Sequence, residues 1–434
     1  HLDTARGTAP LPRLHLQADW SGGKVPYPAN DGLCVDVDTY PATVDFVGHT
    51  IVFGDGKAPF GLDDKLGLAH IMTLAVLLTH AQDAVHPPLL LIARPDEEIG
   101  RMAAVVGLAD TLAERGVALG WTIDGIAPFE INVENFFATA ASIRFPARRV
   151  APSVRHSRAV WRLAIGGVNT HGATAKAEGA RAATRLAFEI CAALDTAGIG
   201  DDVVAVGFAS DPVRDCDGVL ELAIAADAAK GVEAVVLGLA EALVAPHLRR
   251  GASLNAALTS TDGVDLHAAG AVADAIAMAG AVLGSGAIVP TAAEDSEGRQ
   301  GYSNPYRIVA DGDGVQLDVR MRDFDRGLLD RRGEAVRAVT PAHAAIEIRE
   351  LYVNMGERLA GVPALIDLPK LAAMRIGVEA PVLPIRGGTG VDPFLDRGVF
   401  IANLGTGYFA PESEKELTSL ELIGDHARWL VELV

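Results

Sequence analysis

Two apolar runs in the first third of the chain stop on carboxylates, and that pattern narrows the folds open to it. Leu89–Ala93 leads through Pro95 to Asp96, Glu97 and Glu98, and Val117–Ile123 ends on Asp124. Runs this short and continuous read as strands buried on both faces. Helical patterns lie between and around them. Asp64–Ala81 places Leu68, Ile71, Met72, Ala75 and Leu78 on one face, and a second helix is expected near Met102–Arg115. The C-terminal part repeats the style, with a strand and glycine turn at Gly398–Gly407 and an amphipathic helix at Ser419–Val434. Such alternation predicts an α/β fold with a mainly parallel sheet covered by helices, and ligands bound beyond the carboxyl ends of its strands.

The chain has 434 residues, half of them hydrophobic, so more than one core is expected. A net charge of −19 argues against nucleic acid or an anionic membrane surface as partner. Cys34, Cys191 and Cys216 are few, odd in number and without metal-ligand spacing, which points to a reducing, cytoplasmic setting. No run of about 18 strongly apolar residues suggests a membrane helix. The first residue is His1 rather than methionine, so a truncated N-terminus is expected.

The middle differs. Arg144–Arg158 is basic, contains proline and reads as a linker. Beyond it, Gly167–His171 (GVNTH) matches Gly263–His267 (GVDLH), and Asp215–Val219 (DCDGV) matches Asp311–Val315 (DGDGV). Both pairs share one offset, 267 − 171 = 96 and 311 − 215 = 96. A constant offset without gaps predicts a tandem duplication of α/β units. The expected layout is a catalytic domain from 1–140 and 356–434, with repeats at 160–256 and 257–355. The DxDG acids read as hairpin turns rather than calcium loops, since further ligands are missing. His267, His49, His70, His80 and His86 read as structural or exposed.

Four motifs occur in order: HLDT (His1–Thr4), GLDDKLG (Gly61–Gly67), RPDEEIG (Arg94–Gly100) and WTIDG (Trp121–Gly125). Histidine with several carboxylates suits divalent zinc, manganese or cobalt. Two such ions need one carboxylate able to bridge them and one acid left free to move protons. Adjacent glutamates meet that need, one binding and the other acting on water.

With these motifs, the segment NTHGATAKAEGARAA (Asn169–Ala183) and the stretches Arg320–Arg326, Tyr352–Met355, Pro384–Gly390 and Ile401–Tyr408 resemble the dinuclear zinc exopeptidases of the M20 metallopeptidase family, in particular its peptidase T branch of tripeptide aminopeptidases. The resemblance implies an αβα metal-binding domain carrying an inserted α/β lid. It implies two divalent ions and a short peptide as substrate. It casts His1, Asp63, Glu98 and Asp124 as metal ligands, with Asp63 bridging, Asp3 as the acid that orients the histidine, and Glu97 as general base. His171 falls where the lid histidine meets the substrate carbonyl oxygen, and Arg322 and Asn354 fall in the substrate pocket.

One family ligand is missing. Where a C-terminal histidine is expected, TGYFAPESEKELTSLE has none, and an ungapped alignment puts Glu412 in its place. Its rival reading is a solvated acid on a surface loop; His426 lies too far along to substitute. Two other functions stay open: a deacylase or amidase on N-acyl amino acids, and a degenerate homologue that binds peptides without cleaving them. A homodimer also stays open.

Overall fold

The computed structural model describes residues 1–81, 85–149, 157–169, 171, 174–175, 178–179, 181–260, 268–286, 289 and 298–434. His267 and the rest of GVDLH lie outside them. The main body holds two small sheets. One runs β1 (His15–Gln17), β2 (Ile51–Phe53) and β14 (Leu417–Ser419); the other runs β3 (Leu119–Gly125), β13 (Phe400–Gly405) and β4 (Ile131–Asn132). Helix α1 (Leu62–His80) and the C-terminal helix Leu420–Leu433 pack beside them around Trp20, Phe46, Ile131, Leu404 and Trp429.

The expected mainly parallel sheet is corrected here: β3 and β13 pair in parallel, and every other ladder between the named strands is antiparallel. Leu89–Ala93 is also corrected. It takes no regular secondary structure, and Leu90 and Leu91 are 47% and 44% exposed. An apolar run becomes a strand only where a neighbour offers ladder partners. Among the described residues β3 pairs with β13 alone, so no ladder reaches Leu89–Ala93. Helix α2 (Val106–Glu114) forms close to where its pattern placed it.

The remaining strands build two four-stranded sheets. The first is β7 (Val203–Ser210), β8 (Gly218–Ala225), β6 (Ser157–Gly166) and β9 (Ser253–Thr259), with α3 (Ala183–Thr196) and α4 (Val232–Val244). The second is β10 (Tyr302–Asp311), β11 (Gly314–Asp323), β5 (Phe137–Pro146) and β12 (Ala345–Tyr352), with α5 (Ala269–Gly286) and α6 (Arg326–Val339). In chain order both run strand, helix, hairpin, helix, strand, and both have the same strand order. The units are nested rather than tandem. β5 belongs to the second sheet yet precedes the whole first unit, so the cuts at 140, 160 and 257 do not match the strand pairing. The constant offset holds for the hairpin and second helix, since shifting β8 by 96 gives 314 to 321, within β11, but it fails for the first strand. Shifting β6 by 96 gives 253 to 262, which lands on β9, the closing strand of the first sheet. Arg144 is likewise no linker residue: it lies in β5 and forms a fork with Asp311, at 2.7 and 2.6 Å. At the β10–β11 turn, Asp311 Oδ1 accepts from the amides of Asp313 (2.9 Å) and Gly314 (3.1 Å), as a hairpin turn requires.

One hydrophobic cluster runs through both units. They are tied by Thr184 Oγ1 donating to Tyr306 O (2.9 Å) and Ile308 N donating to Ser210 Oγ (3.0 Å). α5 is long and apolar enough to cross a membrane by composition, but it is a core helix here, lying between α3, α6 and both sheets. Its Gly280 lets α3 approach, since a Cβ there would lie 2.0 Å from the Phe188 ring. Gly280→Val should therefore destabilise the protein by about 1–3 kcal/mol through overpacking, read by urea denaturation.

In the main body, His426 is buried and stacked on Phe129, with ring centroids 4.2 Å apart. Its Nδ1 donates to Leu422 O (2.7 Å), and its Nε2 accepts from the Phe129 amide (3.1 Å), which fixes the neutral ring. Burial pushes its pKa down to about 3 and that of the neighbouring His70 to about 4. Between the ordinary value near 6.5 and these values, the unfolded chain binds protons that the folded chain refuses. Stability should thus fall as pH drops from about 6.5 towards 4, by about 1.4 kcal/mol per pH unit for each ring. His426→Gln should flatten the slope by about that amount in denaturation curves taken across this range.

Candidate metal centre

Asp63 sits at the first turn of α1, where the backbone has not yet become helical. Gly61, at φ +83°, turns the chain into it. The buried carboxylate of Glu416 accepts from the amides of Phe60 (2.8 Å), Gly61 (2.8 Å) and Leu62 (3.3 Å), which satisfies orphan donors at the helix start. From this turn, Asp63 faces two groups of side chains at once.

The first group is His1, Asp63 and Asp124, whose facing atoms lie within 4.8 Å of one another. His1 Nδ1 donates to Asp3 O (2.8 Å), and Nε2 stands 3.2 Å from Asp63 Oδ1 and 3.4 Å from Asp124 Oδ1. With its proton committed at Nδ1, a neutral ring would turn a lone pair on two carboxylates, so something positive belongs between them. Burial disfavours the imidazolium, yet Asp124 and Asp63 hold the His1 pKa well above its usual value. Asp124 comes from the end of β3, and burial pushes its carboxyl up to about 6.

The second group is Asp63, Glu98 and Glu412, again within 4.8 Å. Glu98 is pushed up to about 11, by burial first and then by Glu412. Its Oε1 is buried with no donor among the described residues. Glu97, beside it, is pushed up to about 7 by burial and by Asp124. Carboxylates gathered this closely either take up protons or hold cations. Two overlapping groups, one with a histidine and one all-oxygen, fit two divalent ions that share Asp63.

Asp3 braces the glutamate pair directly. Its two oxygens accept from the amides of Glu97 (3.1 Å) and Glu98 (3.0 Å), while its carbonyl, rather than its carboxylate, takes the closer contact with His1. The surface-loop reading of residues 411–416 is overturned: Glu414, Lys415 and Glu416 are 4%, 0% and 1% exposed. Glu416 Oε1 also accepts from the Glu412 amide (3.1 Å), so one carboxylate ties the turn bearing Asp63 to the turn bearing Glu412. Burial pushes Glu416 up to about 8. No sequence signal separates this acid from its neighbours in PESEKE. Tyr408, also overlooked, buries its phenol beside Asp63.

The lid contributes unevenly. His171 lies within electrostatic reach of Asp63, which it helps hold low, and its Cε1 lies 3.4 Å from where a Cβ on Gly387 would stand. Arg322 lies between the rings of Tyr302 (5.9 Å) and Tyr352 (5.8 Å), donates to Arg386 O (3.1 Å), and feels the charge of Glu412. Asn354 has its side-chain amide engaged by the main chain, accepting from Gly356 N (2.7 Å) and donating to Phe324 O (3.4 Å).

No protein-family model matches the chain. Peptidase T of Shouchella clausii is 22% identical over 418 residues, covering 94% of this chain and 72% of that protein. Peptidase T of Geobacillus thermodenitrificans is 22% identical over 445 residues, covering 100% and 79%. Among solved structures, the aminoacylhistidine dipeptidase of Vibrio alginolyticus has the same fold, with a TM-score of 0.54 at 15% identity, over 88% of this chain and 76% of that one. The resemblance to the peptidase T branch of the M20 metallopeptidases thus extends over most of the chain.

The all-oxygen group yields a direct test. Glu412→Ala should lower metal content by up to one ion per chain, and Glu412→His should raise zinc affinity, both measured by elemental analysis and titration calorimetry. Unchanged content and affinity in both would remove Glu412 from the centre.

Proposed function

We propose that the chain is a metal-dependent exopeptidase that hydrolyses short peptides in the manner of a tripeptide aminopeptidase. The observation that carries this reading is Asp63, shared by two ligand groups and within electrostatic reach of His171 from the lid. His1, Asp63 and Asp124 would hold one divalent cation, and Asp63, Glu98 and Glu412 the other. Zinc suits the histidine-bearing group, and the all-oxygen group favours manganese or cobalt. Such ions, when bound, supply the Lewis acidity that lets water attack an amide at neutral pH.

The chain's own groups do the rest. Glu97, held by Asp3 and with a carboxyl near neutrality, takes a proton from the attacking water and returns it to the leaving amine. His171 donates to the substrate carbonyl oxygen as charge gathers there. Arg322 places a fixed cation against two tyrosine rings, suited to an anionic part of the substrate. The three thiols are unpaired, which fits a cytoplasmic setting.

Glu97→Gln should cost about 10²–10⁴-fold in kcat on tripeptides while metal content stays near that of the parent. Glu98→Gln should lose metal instead. The reverse pattern would exchange the two roles. Assaying tripeptides against N-acyl amino acids separates the peptidase from a deacylase: cleavage of the acylated compounds alone would replace this reading with the second.

A further inference from the structure

We propose that Lys415, buried in the main body, is a positioning residue for His171 in the lid. This rests on the reading of His171 as the group that meets the substrate carbonyl. Lys415 is wholly buried, and its ammonium donates to Asn169 O and stands 3.6 Å from Glu178 Oε2. Those residues flank His171 on either side. Between them the segment is stitched to itself. The Thr174 amide donates to His171 O (3.2 Å), Thr174 Oγ1 to Glu178 Oε1 (2.5 Å), and the Glu178 amide to Thr174 O (2.9 Å). Asn169 Nδ2 donates in turn to Glu412 O (3.1 Å) and Glu414 Oε2 (3.2 Å).

Among the described residues these contacts make a ring that begins and ends on the 412–416 turn and takes in the carbonyl of His171. A buried ammonium stands only where its charge is answered, and Glu178, itself 2% exposed, answers it. Arg250 binds the Glu178 carbonyl (3.4 Å), and among the described residues Lys415 is the cation at its carboxylate. The same turn presents Glu412 to the carboxylate group and Glu416 to the turn before Asp63. One short stretch therefore sets both the metal ligands and the distance from them to the lid imidazole. A shift of about 1 Å there is enough to spoil a hydrogen bond that forms only as the reaction proceeds.

Removing Lys415 alone would strand Glu178, so the test uses the paired variant Lys415→Met with Glu178→Gln, which deletes both charges. It should keep its metal, lose about 10- to 100-fold in kcat with KM within about threefold, and lose little more when His171→Ala is added. Lys415→Arg in the parent should retain most of the activity. Thr174→Val, a milder cut in the same ring, should lower kcat about threefold. In metal-free protein, His171→Cys should react with a maleimide about tenfold faster in the paired background than in the parent.

A paired variant with parental kcat, a full further loss on adding His171→Ala, or equal labelling rates would each overturn the proposal. His171→Ala alone tests the underlying assignment: full activity there would sink both, whereas a large loss there with an unimpaired paired variant would sink this proposal only.

Discussion

Mutual repulsion among carboxylates is the constraint on which the rest of the centre depends. Asp63, Asp64, Glu97, Glu98, Asp124 and Glu412 converge in one largely half-buried cluster, with His1 the imidazole among them. Burial and neighbouring negative charge raise most of these acids far above their ordinary range, and Asp63 alone is held low, by His1 and His171. A fold that tolerates this arrangement must hold each acid in place by contacts other than those among the acids. Asp3 and Glu416 do so by spending their own carboxylates on main-chain amides.

That division of labour explains why so many polar groups sit inside the body. Acids facing the centre turn oxygens on His1 and on one another, Asp64 also taking the Gly67 amide (3.1 Å); acids behind it accept from main-chain amides. Glu416 accepts from four amides, and the Leu62 amide among them precedes Asp63 directly. Stiff support of this kind matters because a ligand misplaced by a fraction of an ångström binds a different ion or none.

The nested lid is the second consequence of geometry. The first sheet carries the His171 segment, and the second carries Arg322 on β11, so groups from both units face one centre. Inserting one unit whole between the first strand and first helix of the other lets their hydrophobic faces share a core. Small residues make the contact close, Gly280 against Phe188 being the tightest example.

What the sequence by itself determined was chemistry that depends on residue type and order. The HLDT, GLDDKLG, RPDEEIG and WTIDG motifs named the acids that converge, and the alternation of patterns named an α/β fold. A helix over α1 was legible from local signals, but not its inward face: Leu66, His70 and Leu74 are buried, whereas Met72 of the expected Leu68–Leu78 stripe is 60% exposed. Tertiary structure alone decided the rest. Leu89–Ala93 has the composition of a core strand and is none, because a ladder needs a partner that no local pattern supplies. The offset of 96 was real in the letters, but strand pairing assigned β5 and β9 to sheets that sequence order would not predict. Glu412, Lys415 and Glu416 look alike as surface charges in PESEKE. Burial turned one toward the carboxylates, one toward the lid and one toward the turn before Asp63, since a charge removed from water must find its partner wherever the fold has put it.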